Sequence, residues 1–197
     1  QLCALALEAK PGMRVLDACA APGGKSFTLA QQMENQGELI ACDLHPKRVG
    51  LIKKRAGEMG ITSLKAESRD MSLFDPALGT FDAVLCDVPC SGYGVIRRKP
   101  EIKYKPLEEF TNIPNIQYKI LETTAQYCKV GAVLIYSTCT LNPAENGAVR
   151  ERFLAAHPQF VPRPLGGLLG EASSRTLLGE FGADGFYMAA FTRREEG

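Results

Sequence analysis

The 197-residue sequence has no apolar run near the roughly 20 residues that a membrane-spanning helix needs. It has no C-x-x-C pair, so a zinc cage is not expected. Its net charge is only +1, which excludes a strong global attraction to nucleic acid and leaves that task to a local patch. Internal repeats, linker-like low-complexity stretches and a disordered composition are all missing. Histidine is scarce: His45 falls near a helix start and His157 at a helix end, and neither is assigned a role. The start, residues 1–7, has no basic leader, only a short apolar stretch and no initiating Met, so a signal peptide is not expected and a fragment of a longer chain is.

What is present suits one domain. Apolar residues make up 45%, enough for a substantial core. Seven cysteines, an odd number scattered without a framework, fit a reducing, cytoplasmic setting. Apolar strand-sized runs alternate with helical patterns. Strands are expected over 14–18, 38–42, 64–67, 81–86, 133–136 and 185–192, with a short one near 160–161. Helices are expected over 24–33, 46–59, 116–128 and 144–156. This alternation predicts an α/β domain with a doubly wound, mostly parallel sheet of seven strands. Residues 91–109 and 162–182 read as long surface loops.

The first strand runs into Asp17-Ala18-Cys19-Ala20-Ala21-Pro22-Gly23-Gly24-Lys25-Ser26, which opens a helix. Glycines let the backbone approach a ligand, and the helix start offers free N–H groups. A P-loop requires glycine where Cys19 stands, and a dinucleotide fingerprint requires G-x-G-x-x-G, which the turn does not supply. The remaining reading is S-adenosylmethionine, a nucleoside without pyrophosphate whose amino-acid tail suits N–H donors, an upstream acid and a nearby Lys. Acids at later strand ends support it: Asp43 suits the ribose hydroxyls and Asp70 the adenine amine. Alone, either could be a turn former or helix cap.

Cys3, Cys42, Cys86 and Cys128 lie within predicted elements and read as small buried hydrophobes, and Cys19 sits in the cofactor turn. Cys90, in Asp87-Val88-Pro89-Cys90, and Cys139, in Ser137-Thr138-Cys139-Thr140, instead follow strands at the edge where ligands of open α/β sheets sit. A disulfide between them is one reading. The other is covalent catalysis of methyl transfer. Carbon 5 of a pyrimidine is a poor nucleophile, and a thiolate added to carbon 6 turns the ring into an enamine-like donor. A free thiol is only a few per cent ionised at pH 7, so the site must lower a pKa, and Lys25 or the cofactor's sulfonium could do so. Asp87, protonated or hydrogen-bonded to ring nitrogen 3, would neutralise the ring, and the second thiol would serve as a base or in release.

The chain resembles the Nop/Sun-type RNA (cytosine-5) methyltransferases, most closely the bacterial RsmB-like enzymes acting on small-subunit ribosomal RNA. The resemblance spans nearly the whole chain and includes the turn Asp17 to Lys25, Asp87-Val88-Pro89-Cys90-Ser91-Gly92, Tyr136-Ser137-Thr138-Cys139-Thr140, Pro143-Ala144-Glu145-Asn146 and Asp184-Gly185-Phe186-Tyr187. It implies a class I S-adenosylmethionine-dependent methyltransferase fold, Rossmann-like, over residues 1–197, without the amino-terminal RNA-binding region that such enzymes usually carry. By resemblance, Cys139 is the nucleophile and Cys90 aids product release, with Asp87 and Lys25 beside them. Cys19, Ala20, Ala21, Pro22, Gly23, Gly24, Lys25, Asp43, Asp70 and Asp87 then line the cofactor pocket. The substrate implied is RNA, ribosomal or transfer. No metal is implied, and a monomer is expected.

Arg97, Arg98, Lys99, Lys103 and Lys105 stand against Glu101 directly after Cys90, a basic run placed to meet phosphates beside the reacting base. Tyr93 and Tyr104 could stack on unpaired bases or anchor the loop. A duplex hides carbons 5 and 6, so the target must be single-stranded or flipped out. Two other readings stay open: a DNA cytosine-5 methyltransferase, with Cys90 as nucleophile, and a non-catalytic cofactor-binding scaffold.

Overall fold

The structure, a computed structural model, describes residues 1–180 and 184–195. Five parallel strands form the left and centre of the sheet: β1 (Arg14–Asp17), β2 (Glu38–Asp43), β3 (Leu64–Ser68), β4 (Phe81–Asp87) and β5 (Cys128–Thr138). β8 (Phe186–Arg193) joins β5 antiparallel, and β6 (Phe160–Pro162) and β7 (Ser174–Leu177) share its other edge. The spatial order is β3-β2-β1-β4-β5-β8-β6, with β7 also on β8. The chain reverses direction across the sheet between β1 and β4, and a crevice at such a switch point is where α/β sheets take ligands.

The central strands are apolar on both faces because helices cover both. Alternate residues feed two cores. Leu16, Val84 and Leu134 face the layer that contains Leu121 of α4 (Ile113–Ala125) and Phe153 of α5 (Gly147–Ala156). Val15, Leu85 and Ile135 face Leu29 of α2 (Gly24–Gln32) and Ala4 of α1 (Leu2–Ala6). Burying each large aliphatic side chain stabilises the fold by about 1.5–3 kcal/mol. α3 (Pro46–Glu58), with proline in its first turn, packs Val49 and Ile52 over β2 and β3.

Several boundaries differ from the sequence expectation. The sheet has eight strands rather than seven, because β7 forms inside the segment read as a loop; it is held by its ladder to β8 and by fully buried Leu177. Residues 126–128 do not continue α4. Cys128 instead pairs with Phe81 and opens β5, and a register shift follows before Ala83 pairs with Val133. α5 begins at Gly147, since Glu145 and Asn146 put their side chains to other use. The basic segment after Cys90 carries three short 3₁₀ turns. Among the described residues no helix is long and apolar enough to cross a membrane.

Candidate active site

The turn after β1 is built for close backbone approach. Ala21–Pro22 is cis, and Gly23 has φ of 103°, where an added Cβ would meet the Phe27 ring at 2.7 Å. Ala20 N–H donates to the Cys42 carbonyl at 2.8 Å, tying the turn to β2. Ala20 and Gly23 are buried, Pro22 and Gly24 exposed, Cys19 and Ala21 between. Asp17, the upstream acid, is fully buried beneath the turn and accepts from Ser26 Oγ at 2.6 Å, so it anchors the turn and offers no surface to a ligand. Burial pushes its pKa up to about 7.

Beside this turn lies a cleft of about 260 Å³ that brings Cys19, Asp43 and Asp70 together with Pro89 and the apolar side chains of Ile116 and Ile120. Asp43 accepts from Ala21 N–H at 3.3 Å and His45 N–H at 2.9 Å, which fixes its carboxylate at the end of β2. Asp70 is held by Ser72, whose N–H and Oγ both donate to Oδ1. Two anchored acceptors flanking apolar walls fit a nucleoside: hydroxyls and an amine can donate to the carboxylates while the base lies against the isoleucines. His45, given no role from sequence, lines the same cleft.

A second cluster sits where β4 and β5 end. Asp87 and Ser137 are ladder partners, and Ser137 Oγ donates to Asp87 Oδ1 at 2.6 Å. Lys25 Nζ, from the first turn of α2, pairs with Asp87 Oδ2 at 2.7 Å and lies 5.4 Å from the Phe186 ring centroid. Burial pulls the Lys25 pKa down, but the charge and hydrogen bond of Asp87 outweigh it and hold it above the ordinary lysine value. From sequence, Asp87, protonated or hydrogen-bonded, is expected at ring nitrogen 3; in the structure its carboxylate accepts from Ser137 and pairs with the Lys25 ammonium, which adds a second donor beside it.

Cys90 and Cys139 converge. Their Sγ atoms are 2.8 Å apart, and Cys139 N–H points at Cys90 Sγ at 3.2 Å. Both thiols are half-buried, whereas Cys3, Cys42, Cys86 and Cys128 are buried in the core. The hydrogen bond from Cys90 holds the Cys139 thiol below its ordinary pKa, against burial and the nearby Asp87, and with help from Lys25. The same bond, with burial, pushes Cys90 up. These directions favour Cys139 over Cys90 as the thiolate. The main lever on Cys139 is Cys90, with Lys25 secondary, where the sequence pointed to Lys25 or the cofactor's sulfonium.

The backbone of Cys139 is clasped as well. Gly94 N–H donates to the Cys139 carbonyl at 3.0 Å, and a Cβ on Gly94 would meet the Gly185 carbonyl oxygen at 1.9 Å, so only glycine fits. In the basic segment, Arg98 pairs with Asp184 at 2.6 Å and Arg97 reaches the same carboxylate at 3.4 Å. Asp184, not counted in the sequence reading, thus offsets part of the patch, while Lys99, Lys103 and Lys105 are exposed. Tyr93 packs edge-on against Phe110 as an anchor, and Tyr104 is 86% exposed. A hollow of about 560 Å³ opens alongside, bounded by Arg98, Asp184 and Phe186 on one side and by α1 on the other. Among the described residues no group of His, Cys, Asp and Glu could hold a metal ion.

Sequence reasoning left Ser137, Gln117, Glu145 and Phe186 without roles. For Glu145 a signal existed: an acid beside Asn146 directly after the Thr138-Cys139-Thr140 motif, in a stretch that ends buried. Ser137 and Gln117 carried no signal beyond their neighbours.

The switch-point cleft with its glycine turn and paired carboxylates defines the S-adenosylmethionine-dependent methyltransferase class, to which the solved structural neighbours belong. Within that class the chain belongs to the 16S rRNA methyltransferase RsmB/F family, whose model matches residues 4–192. It is 38% identical over 205 residues to the probable ribosomal RNA small subunit methyltransferase B of Bacillus subtilis, covering 98% of this chain and 46% of that one. It is 35% identical to the tRNA (cytosine(34)-C(5))-methyltransferase of Drosophila melanogaster over 76% of this chain and 23% of that one. The crystal structure of NSun6 from Pyrococcus horikoshii, solved with the S-adenosylmethionine analogue SFG, superposes with a TM-score of 0.86 at 25% identity, covering 99% of this chain and 51% of that one. The chain thus spans about half the length or less of these relatives.

Proposed function

We propose that this chain is the catalytic domain of an RNA methyltransferase that modifies carbon 5 of cytosine, with small-subunit ribosomal RNA as the substrate. The observation that carries this reading is the 2.8 Å thiol pair beside a nucleoside-sized cleft, with Cys139 poised as thiolate by Cys90. Bound S-adenosylmethionine would supply the electrophilic methyl group, with Asp43 and Asp70 holding its ribose and adenine and the turn from Cys19 to Gly24 backing its amino-acid tail.

The chain's own residues account for the rest. Cys139 sulfur bonds to carbon 6 of the cytosine, and the electron pair displaced from the 5,6 double bond makes carbon 5 nucleophilic. Lys25 and Asp87 present a donor beside an acceptor. That order suits cytosine, whose ring nitrogen 3 accepts and whose exocyclic amine donates; uracil reverses both. After methylation a base removes the carbon-5 proton, the double bond re-forms and Cys139 leaves as thiolate. We assign that step to Cys90: its hydrogen bond to Cys139 is released when that sulfur bonds to carbon 6, and its thiol passes its proton to solvent and as thiolate takes the carbon-5 proton. A positioned acid–base group of this kind typically contributes ~10²–10⁴-fold.

The hollow bounded by Phe186 and α1, next to Lys25, is the proposed entry for a flipped-out base, with the exposed lysines on the flanking phosphates. The test is methyl transfer from labelled S-adenosylmethionine to unmodified small-subunit ribosomal RNA by the full-length protein, followed by mapping of bisulfite-resistant cytosines. Label on transfer RNA instead would favour the second substrate, which the Drosophila relative's name brings forward. Absence of any transfer would support a scaffold. A DNA-directed reading, with Cys90 as nucleophile, is disfavoured by membership of an rRNA methyltransferase family, and it would require Cys90→Ala alone to abolish turnover.

A further inference from the structure

Glu145 is fully buried, yet it contributes nothing to the reaction as described. Its carboxyl is a junction between the loops that carry the two thiols. Oε2 accepts from Ser91 N–H, one residue past Cys90, at 2.9 Å, and from Gln117 Nε2 at 3.0 Å. Oε1 accepts from Asn142 Nδ2, three residues past Cys139, at 3.0 Å. Gln117 also donates to the Pro89 carbonyl at 2.9 Å, so the residues on both sides of Cys90 are gripped. Ser91 Oγ and Thr140 Oγ1 bridge the same loops at 2.7 Å. On the other side, Asn146 accepts from Thr138 Oγ1 at 2.6 Å and donates to the Thr140 carbonyl at 3.0 Å, straddling Cys139.

We infer that Glu145 is a positioning residue that sets the gap between the two thiols, and through that gap both the readiness of Cys139 to attack and the speed with which Cys90 frees it. The physical reason is that the loops leave different strands, and the other links near their tips are the Ser91–Thr140 hydroxyl bridge, the Gly94 N–H to Cys139 carbonyl bond and the contacts at the thiols themselves, none of which gathers several donors from both loops on one buried group. A sulfur–sulfur hydrogen bond is too weak to hold two loops at contact distance, whereas a buried carboxyl that accepts from several donors is a stiff link. Asn146 grips the Cys139 loop alone, so the two neighbours divide the work: Asn146 places the nucleophile, and Glu145 places its partner against it.

This inference rests on the covalent reading for its second readout only, and the first needs no RNA. The pH dependence of Cys139 alkylation by iodoacetamide, followed by mass spectrometry of the Cys139 peptide, reports its thiolate. The groups facing that sulfur are Cys90 and Asp87 from the end of β4 and Lys25 from α2. In Glu145→Ala the midpoint should rise toward that of Cys90→Ala, a rise of about one pH unit lowering the rate near neutrality roughly tenfold. Glu145→Gln keeps an acceptor oxygen for Ser91 and Gln117 and should recover part of the loss. With RNA present, Glu145→Ala should hold several-fold more denaturation-resistant protein–RNA adduct than the unaltered protein, as Cys90→Ala does.

The far-ultraviolet circular dichroism spectrum and a cooperative thermal melt serve as the check that the variant is folded. If Glu145→Ala does not fold, Gln117→Leu takes its place and should show a smaller change of the same sign. A folded variant whose Cys139 midpoint and adduct level match the unaltered protein overturns the inference. Failure of Cys90→Ala to trap any adduct overturns the covalent reading, and the alkylation readout still decides the role of Glu145.

Discussion

The sulfur atoms of Cys90 and Cys139 meet at 2.8 Å although 48 residues separate them in sequence, because β4 and β5 are adjacent parallel strands that end at the same edge. One hydrogen bond joins them, and with it the two thiols are shifted in opposite directions, Cys139 down and Cys90 up. A single sulfur at that edge would stay mostly protonated at neutral pH.

Loss of Cys139 should therefore differ in kind from loss of Cys90. Cys139→Ala should reduce methyl transfer to background with no covalent complex. Cys90→Ala should slow turnover by ~10²-fold or more and leave RNA attached to protein on denaturing gels. Background activity in Cys90→Ala without any adduct would reverse the assignment.

The Lys25–Asp87 pair should act as a unit. Lys25→Met removes the proton donor and leaves Asp87 with Ser137 alone, and kcat/KM should fall by ~10²–10⁴-fold. Asp87→Asn should fall as far, and the double variant should lose little more than either single one. Additive losses in a double-mutant cycle would show that the two residues act separately.

Asp43 anchors the turn and faces the proposed cofactor cleft. Asp43→Ala should weaken S-adenosylmethionine binding by about 10–100-fold, equivalent to about 1.5–3 kcal/mol for a charge-assisted hydrogen bond. It also strips acceptors from Ala21 and His45 N–H, so a lower Tm should accompany it. Isothermal titration with S-adenosylmethionine measures the first effect, and thermal melting the second.

Asp17 makes the stability pH-dependent. Its folded-state pKa, about 7, lies above the ordinary aspartate value of 3.8, so the folded protein keeps a proton that the unfolded chain loses. Stability from this group is full at low pH, falls as pH rises from about 4 to about 7, and is lacking above that. The amide of Asp17→Asn does not ionise and can still accept from Ser26. The variant should be more stable than the unaltered protein at pH 8 by a few kcal/mol, and the difference should vanish near pH 4. Denaturant melts at the two pH values test this, and an equal difference at both would contradict it.

The basic segment should show itself in salt dependence. Lys99, Lys103 and Lys105 are exposed, and replacing each with Ala should reduce the slope of log Kd against log salt by up to about 0.7 for single-stranded RNA. Arg97 and Arg98, already paired with Asp184, should contribute less, unless Asp184→Asn frees them. Equal slopes for all five would mean that Asp184 does not hold the arginines back.

Much of the site was legible in one dimension because its parts are local. A glycine turn after an apolar strand, acids at strand ends and a cysteine within a few residues of a strand end are short-range patterns, and parallel pairing then carries them to one edge. The chemistry-bearing residues and the doubly wound order follow from that periodicity. β7 escaped because a four-residue strand is stabilised only by its ladder to β8, and Cys128 was read as the end of a helix because pairing with Phe81, distant in sequence, is what makes it strand. Nor could sequence show that Asp17 is sealed in, that Asp184 ties up two arginines, or that Glu145 joins the two thiol loops. Sequence by itself determined which residue types the site would contain and on which strands. Only the tertiary structure decided their distances, and with them the opposite shifts of the two thiols, because a hydrogen bond and a desolvated charge depend on separations of an ångström between segments that lie far apart along the chain.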